Sequence, residues 1–233
     1  MLLTLSNLRA FQADLVPQLV ANFETSFSVT LTEEAKTLSD VLGQIDERLF
    51  QSYTRPTISA LNRTISDGVT GPEWVPANNR PDNVQPYVYN ALLHLVLVHT
   101  EISTTIPSTT PDETLRLSEN PAYSLLTNTL TYLLVQTFSS LLAAFRARPK
   151  YTLAELIQAT LDTEFIGQTM SQYSSDDASA LQSQIYVELD RRTTHDARAR
   201  LQVELGEMRS VLKKLRERTK GEFACFKKPK KAT

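Results

Sequence analysis

The 233-residue chain has few of the residues that build reactive sites: one cysteine, three histidines, six glycines and one tryptophan. The single cysteine, Cys225, excludes an internal disulfide framework and a cysteine-rich zinc site, and it is typical of a reducing compartment. The glycine-rich phosphate loops, the nucleophile elbow of hydrolases and the two-histidine motif of zinc proteases do not occur in the sequence. We therefore expect no enzymatic activity, no cofactor and no small-molecule substrate.

The strongest candidate for a metal centre is the neighbouring pair His195 and Asp196. Such a pair is found in metal-dependent phosphohydrolases, which need a further histidine and aspartate at the same ion. The other histidines, His94 and His99, are five residues apart, which places them about 140° apart around a helix. Because the spacing brings no further ligand to the pair, we expect packing or surface histidines and no metal site.

No segment is typical of a membrane span or of a secretory leader. The longest apolar stretch, residues 87–98, is interrupted by Asn90 and His94 and is shorter than the roughly 20 residues that cross a bilayer. The first residues lack the basic region and the small-residue cleavage site of a leader. With 41% hydrophobic and 21% charged residues, the chain is expected to be a globular cytosolic protein.

Apolar residues recur every three or four positions along nearly the whole chain, which predicts an all-α fold. The first apolar face runs through residues 5–27, and Pro17 inside it predicts a kink just before the proline. A second helix is expected to begin at a capping box near residue 30, to break at Pro56 and to stop at Gly68 in a left-handed turn. Further helices are predicted at about 83–104, at 121–148 and after the capping residues of 152–155, 174–177 and 193–194.

These elements divide the chain into four segments. Residues 1–67 are expected to form a helical hairpin with a broken second helix, and residues 68–83 a loop rich in glycine and proline that carries the tryptophan. Residues 84–226 are expected to form a helical bundle, with a mobile Ser/Thr/Pro-rich loop at 103–120. Residues 227–233 form a basic tail.

Charge is unevenly distributed, although the formal net charge is only -2. Residues 191–233 hold 14 Lys and Arg against 5 Asp and Glu. Two sets of residues are candidates for binding a partner or a lipid, and each has a plainer alternative. Trp74 either anchors a protein partner or folds back onto the core of its own domain. The tail lysines either bind an anionic membrane or nucleic acid or are merely solvated; they are Lys227, Lys228, Lys230 and Lys231.

Motifs in a fixed order carry a family resemblance. They are Asp46-Glu47-Arg48-Leu49-Phe50-Gln51-Ser52-Tyr53, the Gly/Trp/Pro loop, Val84-x-x-Tyr87-x-x-x-Ala91-Leu92-x-x-Leu95-Val96-x-Val98-His99-x-Glu101 and Phe223-Ala224-Cys225-Phe226-Lys227. In this order and spacing the chain resembles the C-terminal region of exocyst complex component 2, the Sec-five subunit. The resemblance is strongest over residues 5–102 and continues to about residue 227.

The resemblance implies elongated, stacked antiparallel helical bundles of the kind found in multisubunit tethering complexes. It implies a non-enzymatic scaffold, the distal end of a rod-shaped exocyst subunit, which tethers secretory vesicles to the plasma membrane in exocytosis. Its partners are then other exocyst subunits, and it is expected in the cytoplasm, recruited peripherally to vesicles and exocytic sites. The alternative is a helical module whose basic C-terminal arm binds anionic membrane directly; nucleic acid is the less expected ligand of that arm.

Overall fold

The computed structural model describes residues 1–74, 81–106 and 121–227, and within them the α-helix is the dominant element. The predicted all-α fold is confirmed: one isolated bridge, between Tyr151 and Thr193, is the only β pairing in these ranges. The helices are α1 Leu2–Ala10, α2 Val16–Phe27, α3 Thr32–Thr70, α4 Pro86–Thr105, α5 Pro121–Ala147, α6 Leu153–Thr169, α7 Asp176–Arg191 and α8 His195–Arg218.

Side-chain caps begin the last three helices at the positions that the sequence predicts. The capping box of α6 is complete: Glu155 donates its backbone N–H to Thr152 Oγ1 at 3.3 Å, and Thr152 donates its own to Glu155 Oε2 at 2.8 Å. Ser175 caps α7 and Thr194 caps α8 in the same way, through the side-chain oxygen. Each cap satisfies backbone N–H groups that have no partner inside the helix.

The predicted kink ahead of Pro17 corresponds to a π-helical segment, Phe11–Leu15, between α1 and α2. Pro17 itself lies in the first turn of α2. Proline has no N–H and its ring crowds the preceding turn, which disfavours regular α-helical geometry there, and the irregularity falls in that turn. α2 ends at Phe27, and the next residue, Ser28, caps it with a φ of 52°, in the left-handed region.

Two predictions about the second helix are wrong. α3 continues without a break through Pro56, and it passes Gly68, which has no positive φ. A proline removes only one hydrogen bond from this 39-residue helix. Buried apolar side chains follow it on one face, and their packing offsets that loss; they are Leu61, Ile65 and Val69.

The chain groups into two compact units. Unit 1 comprises Met1–Pro56 and Thr100–Thr129, and unit 2 comprises Thr57–His99 and Leu130–Thr233. The division into hairpin, loop, bundle and tail remains a prediction, since the units describe compactness and not the order of segments.

Unit 1 has a small apolar interior that includes Leu5 and Leu42. A bidentate ion pair joins α1 to α3: Arg9 Nε and Nη2 donate to the two carboxylate oxygens of Asp46 at 2.7 and 2.9 Å. The same guanidinium lies 5.5 Å from the ring centroid of Phe50. Planar, two-point pairing of this kind fixes the angle of approach as well as the contact.

Unit 2 buries one side of α4 and leaves another open. The sequence predicts that α4 is surrounded by other helices, because it is apolar on most of its circumference. Val88, Leu92 and Leu95 are fully buried, but Leu93 is 53% exposed and Leu97 is 58% exposed. The prediction therefore holds for the buried side only.

Helix α5 includes a segment, Ser124–Ala147, that is long and apolar enough to cross a membrane by length and composition alone. It is the one such segment in the part of the chain that the structure describes, and half of its most apolar window is buried inside the protein. Phe138 and Leu141 belong to its buried side. The core helix of a globular protein has the same length and composition, and the burial favours that interpretation.

Candidate interaction surfaces

Trp74 lies in the interior of unit 2 and is almost fully buried. Its ring centroid is 6.1 Å from those of Phe145 and Tyr151, and the guanidinium carbon of Arg148 lies 4.5 Å from it on the ring face. This is the second of the two interpretations, in which the tryptophan folds back onto the core of its own domain. A buried indole presents no face to a partner, so the structure does not favour Trp74 as an anchor.

Arg148 joins the ends of helices around Trp74. Its Nη2 donates to Glu155 Oε1 at 2.6 Å, and its Nη1 donates to the Val69 carbonyl at 3.1 Å, near the end of α3. Burial alone would raise the pKa of Glu155, but hydrogen bonds from Thr152 and Arg148 outweigh it and lower that pKa below its ordinary value. These hydrogen bonds satisfy polar groups at the ends of the helices, so the cluster stabilises the fold.

Asp162 is a fully buried carboxylate that holds the beginning of α4. Its Oδ1 accepts from the backbone N–H of Gln85 at 3.0 Å and from Gln158 Nε2 at 2.8 Å, and its Oδ2 accepts from the Tyr87 hydroxyl at 2.9 Å. Burial raises the pKa of Asp162 to about 7, and the hydrogen bonds oppose that rise. Because the carboxylate caps a helix N-terminus, its contacts position α4 on α6 and leave it no exposed face for a substrate.

The residues considered for a metal centre have other roles. His99 packs edge-on against Phe226, with 6.2 Å between ring centroids, and burial lowers its pKa. His195 is the first residue of α8, and Asp196 pairs with Arg200 at 3.3 Å one turn later. Across residues 1–74, 81–106 and 121–227, no three His, Cys, Asp or Glu side chains come together as a metal ion would require.

The C-terminal aromatic–cysteine motif is a packing element of unit 2. The ring of Phe223 stacks on Tyr89 with 6.5 Å between centroids, and Phe226 lies 6.1 Å from Tyr173 in an edge-on arrangement. Cys225 between them is half-buried, and burial raises the pKa of its thiol. A raised pKa disfavours the reactive thiolate, which agrees with a packing role for the cysteine.

The basic tail is described only at its first residue. Lys227 is exposed and lines a shallow concavity together with Arg216 and Lys220. The other three tail lysines lie outside the described residues; they are Lys228, Lys230 and Lys231. Binding of the tail to an anionic membrane therefore remains a prediction.

Unit 1 exposes large apolar side chains on α2, on the turn before it and on α3. Their exposed fractions lie between 41% and 65%; we call them the unit 1 apolar face, which consists of Leu15, Leu19, Phe23, Phe27, Leu38, Val41 and Ile45. With the exception of Val41, the sequence predicts that these residues lie on helix faces that pack in a bundle. Periodicity reports that a face is apolar, but it does not report whether another element of the same chain covers it. Exposed apolar surface of this kind marks interaction sites in folded proteins.

The family comparison covers nearly the whole chain. A family model described as exocyst complex component Sec5 matches residues 1–226. The chain belongs to the exocyst complex component Sec5 family. The resemblance that the motifs indicate is thereby confirmed, and membership identifies the chain with an exocyst subunit. Comparison with curated proteins and with solved structures finds no significant match.

The Sec5 match ends within the C-terminal aromatic–cysteine motif. The matched region ends at Phe226, so it includes the aromatic cluster around Phe223 and stops before the tail lysines.

Proposed function

We propose that this chain is a non-enzymatic scaffold segment of the exocyst, which helps to tether secretory vesicles to the plasma membrane in exocytosis. It acts through contacts with other exocyst subunits, in the cytoplasm, and is recruited peripherally to vesicles and to exocytic sites of the plasma membrane. Two findings support the proposal: membership of the Sec5 family and the exposed unit 1 apolar face.

The unit 1 apolar face is the observation that carries the proposal. Leu15, Leu19, Phe23 and Phe27 follow one another at intervals of four residues, the spacing of a ridge that packs into the groove of a second helix. The rings of Phe23 and Phe27 lie 4.5 Å apart and form one continuous apolar surface. Covering such side chains stabilises a complex by about 25 cal/mol for each Å² of apolar surface removed from water. A helical subunit that packs against this face removes these side chains from water.

The proposal is tested by capture of the other exocyst subunits on the 233-residue chain, with the double variant Leu19→Asp/Phe23→Asp beside the unchanged protein. Both positions are exposed, so we expect an unchanged melting temperature and at least a tenfold loss of captured subunits. Val203→Asp is the matched control, because Val203 is an even more exposed apolar residue in unit 2. If the unchanged chain captures no exocyst subunit, the proposal is wrong.

A further inference from the structure

A second apolar surface lies within unit 2, where α6, α7 and α8 border a groove of about 630 Å³. Its apolar lining includes Leu156, Leu189, Leu201, Leu205, Met208 and Leu212. The four that belong to α8 follow at spacings of four, three and four, the pattern of a helix face that meets another helix. From Leu201 to Leu212 the groove follows α8 for about 17 Å, or three turns.

The acidic side chains at the edge of this groove are already engaged within the chain. Glu164 accepts from the Tyr186 hydroxyl at 2.6 Å and from Gln168 Nε2 at 3.0 Å. Asp190 pairs with Arg198 at 2.5 Å. Arg209, which also lines the groove, has no ion pair with any residue of the described ranges. Glu164 keeps its negative charge, because both of its partners are neutral, so the cationic character of this surface comes from the residues that follow Arg209 along α8 and not from the groove edge itself.

A basic stripe continues from the groove along α8. Arg209, Lys213 and Arg216 are separated by four and three residues, so they share one side of α8, and Lys220 lies just beyond the end of the helix at Arg218. A second concavity, lined by the first three of them and by Lys227, meets the groove at Arg209 and is interrupted by one acidic side chain, Glu217. An apolar groove and a cationic stripe thus follow one another along a single helix.

We propose that the groove between α6, α7 and α8 binds an amphipathic helix of a partner protein, whose apolar residues enter the groove and whose acidic residues lie over the basic stripe. Helices bind such grooves through apolar residues at i, i+3, i+4 and i+7, and the three-turn length of the groove matches that repeat. Charge complementarity sets the direction of the helix, because only one end of the groove continues into the stripe. The inference rests on the proposed function in one respect, that the chain acts through protein contacts.

A flat bilayer fits this surface less well than a helix does. Met208 and Leu212 line the groove and are buried, so a planar surface makes little contact with them, whereas a helix can insert side chains into the concavity. The mixed character of the site, apolar along three turns and then cationic, also matches an elongated amphipathic ligand better than a compact one.

The test is fluorescence anisotropy of the 233-residue chain with a labelled 20-residue helical peptide that carries Leu at the groove spacing and Glu at the other positions. Two further peptides are compared with it, one with Lys in place of Glu and one with the same residues in scrambled order. We expect the acidic peptide to bind at least tenfold more tightly than either. An affinity that is equal for all three peptides, or no binding at all, would overturn the inference.

Two pairs of variants separate the groove from the rest of the surface. The first pair is Val187, which lines the groove and is 66% exposed, and Val203, which is 81% exposed and does not line the groove. Because both side chains are exposed, replacing either one with Glu leaves the core intact. We expect Val187→Glu to weaken binding of the acidic peptide at least tenfold and Val203→Glu to leave it unchanged. In the stripe, Lys213→Glu is expected to weaken binding several-fold more than Lys214→Glu at the next position, which lines neither concavity. Equal losses of peptide affinity within either pair would contradict the groove and its stripe as the binding site.

Vesicles of phosphatidylserine provide the competing outcome. Vesicle binding that is lost in Val187→Glu, with no binding of the acidic peptide, would show a membrane surface and overturn the inference. Capture of other exocyst subunits is measured separately on the same variants. A chain that captures subunits but binds no acidic helix leaves the proposed function standing and removes this inference; the reverse result removes the proposed function alone.

Discussion

Gly68 and Tyr87 approach each other so closely that a Cβ built on the glycine would lie 2.6 Å from Cγ of the tyrosine. Glycine at this position lets α3 and α4 approach within unit 2, and the hydroxyl of the same tyrosine donates to Asp162 on α6. The close approach therefore helps to place three helices. The close approach also explains why residue 68 is a glycine. From the sequence alone, Gly68 is expected to end the helix.

Gly68→Ala is expected to destabilise the protein. Alanine in a helix interior is normally favoured over glycine by about 1 kcal/mol, but overpacking at a close contact costs typically about 1–3 kcal/mol or more. Because the collision is with the base of the Tyr87 side chain, which cannot rotate away, we expect a net loss in the free energy of unfolding. Urea unfolding measures this free energy for the variant and for the unchanged protein. Gly43→Ala in the same helix is the control: nothing lies within 4 Å of its Cβ position, so that variant should gain stability. Equal stability of the two variants would contradict the close contact.

Asp162 makes stability depend on pH in a predictable direction. Its pKa rises from an ordinary 3.8 to about 7 because the carboxylate is buried. Between those values the folded protein holds a proton that the unfolded chain releases, so the contribution of Asp162 to stability is present below pH 4 and is lost as the pH rises to 7. Urea unfolding at pH 5 and pH 7.5 is expected to show a smaller change for Asp162→Asn than for the unchanged protein.

The asparagine variant keeps an oxygen that accepts from Gln85 and Gln158, so its effect on the fold at pH 5 is expected to be modest. Asp40→Asn, at an exposed position of α3, is the control and should follow the unchanged protein. An identical pH response of the two variants would show that Asp162 does not titrate in this range.

Leu95→Asp is expected to abolish folding of unit 2. Leu95 is fully buried, and an unpaired carboxylate in that position costs several kcal/mol. Leu93→Asp, two residues earlier on the open side of the same helix, should melt close to the unchanged protein. Circular dichroism during heating compares the two variants. A cooperative, normal melt of Leu95→Asp would mean that α4 is not a central helix.

Features that depend on neighbouring residues in the sequence could be predicted. The capping box of Thr152 and Glu155 and the cap at Ser175 act within four residues, so the beginnings of α6 and α7 follow from local chemistry. The irregularity before Pro17 is local for the same reason. The break expected at Pro56 is wrong because distant packing, which local rules do not contain, holds the helix together.

The sequence by itself determined the helical class, most helix beginnings and the Sec5 family, since periodicity, capping residues and ordered motifs are properties of the linear chain. Only the tertiary structure decided which apolar faces are covered: Leu95 is buried and Leu93 is open, although both belong to one apolar helix. It alone placed Trp74 in the interior and showed the groove that Met208 lines. The physical reason is that burial depends on which elements meet in space, and hydrophobic periodicity carries no information about the element that lies opposite.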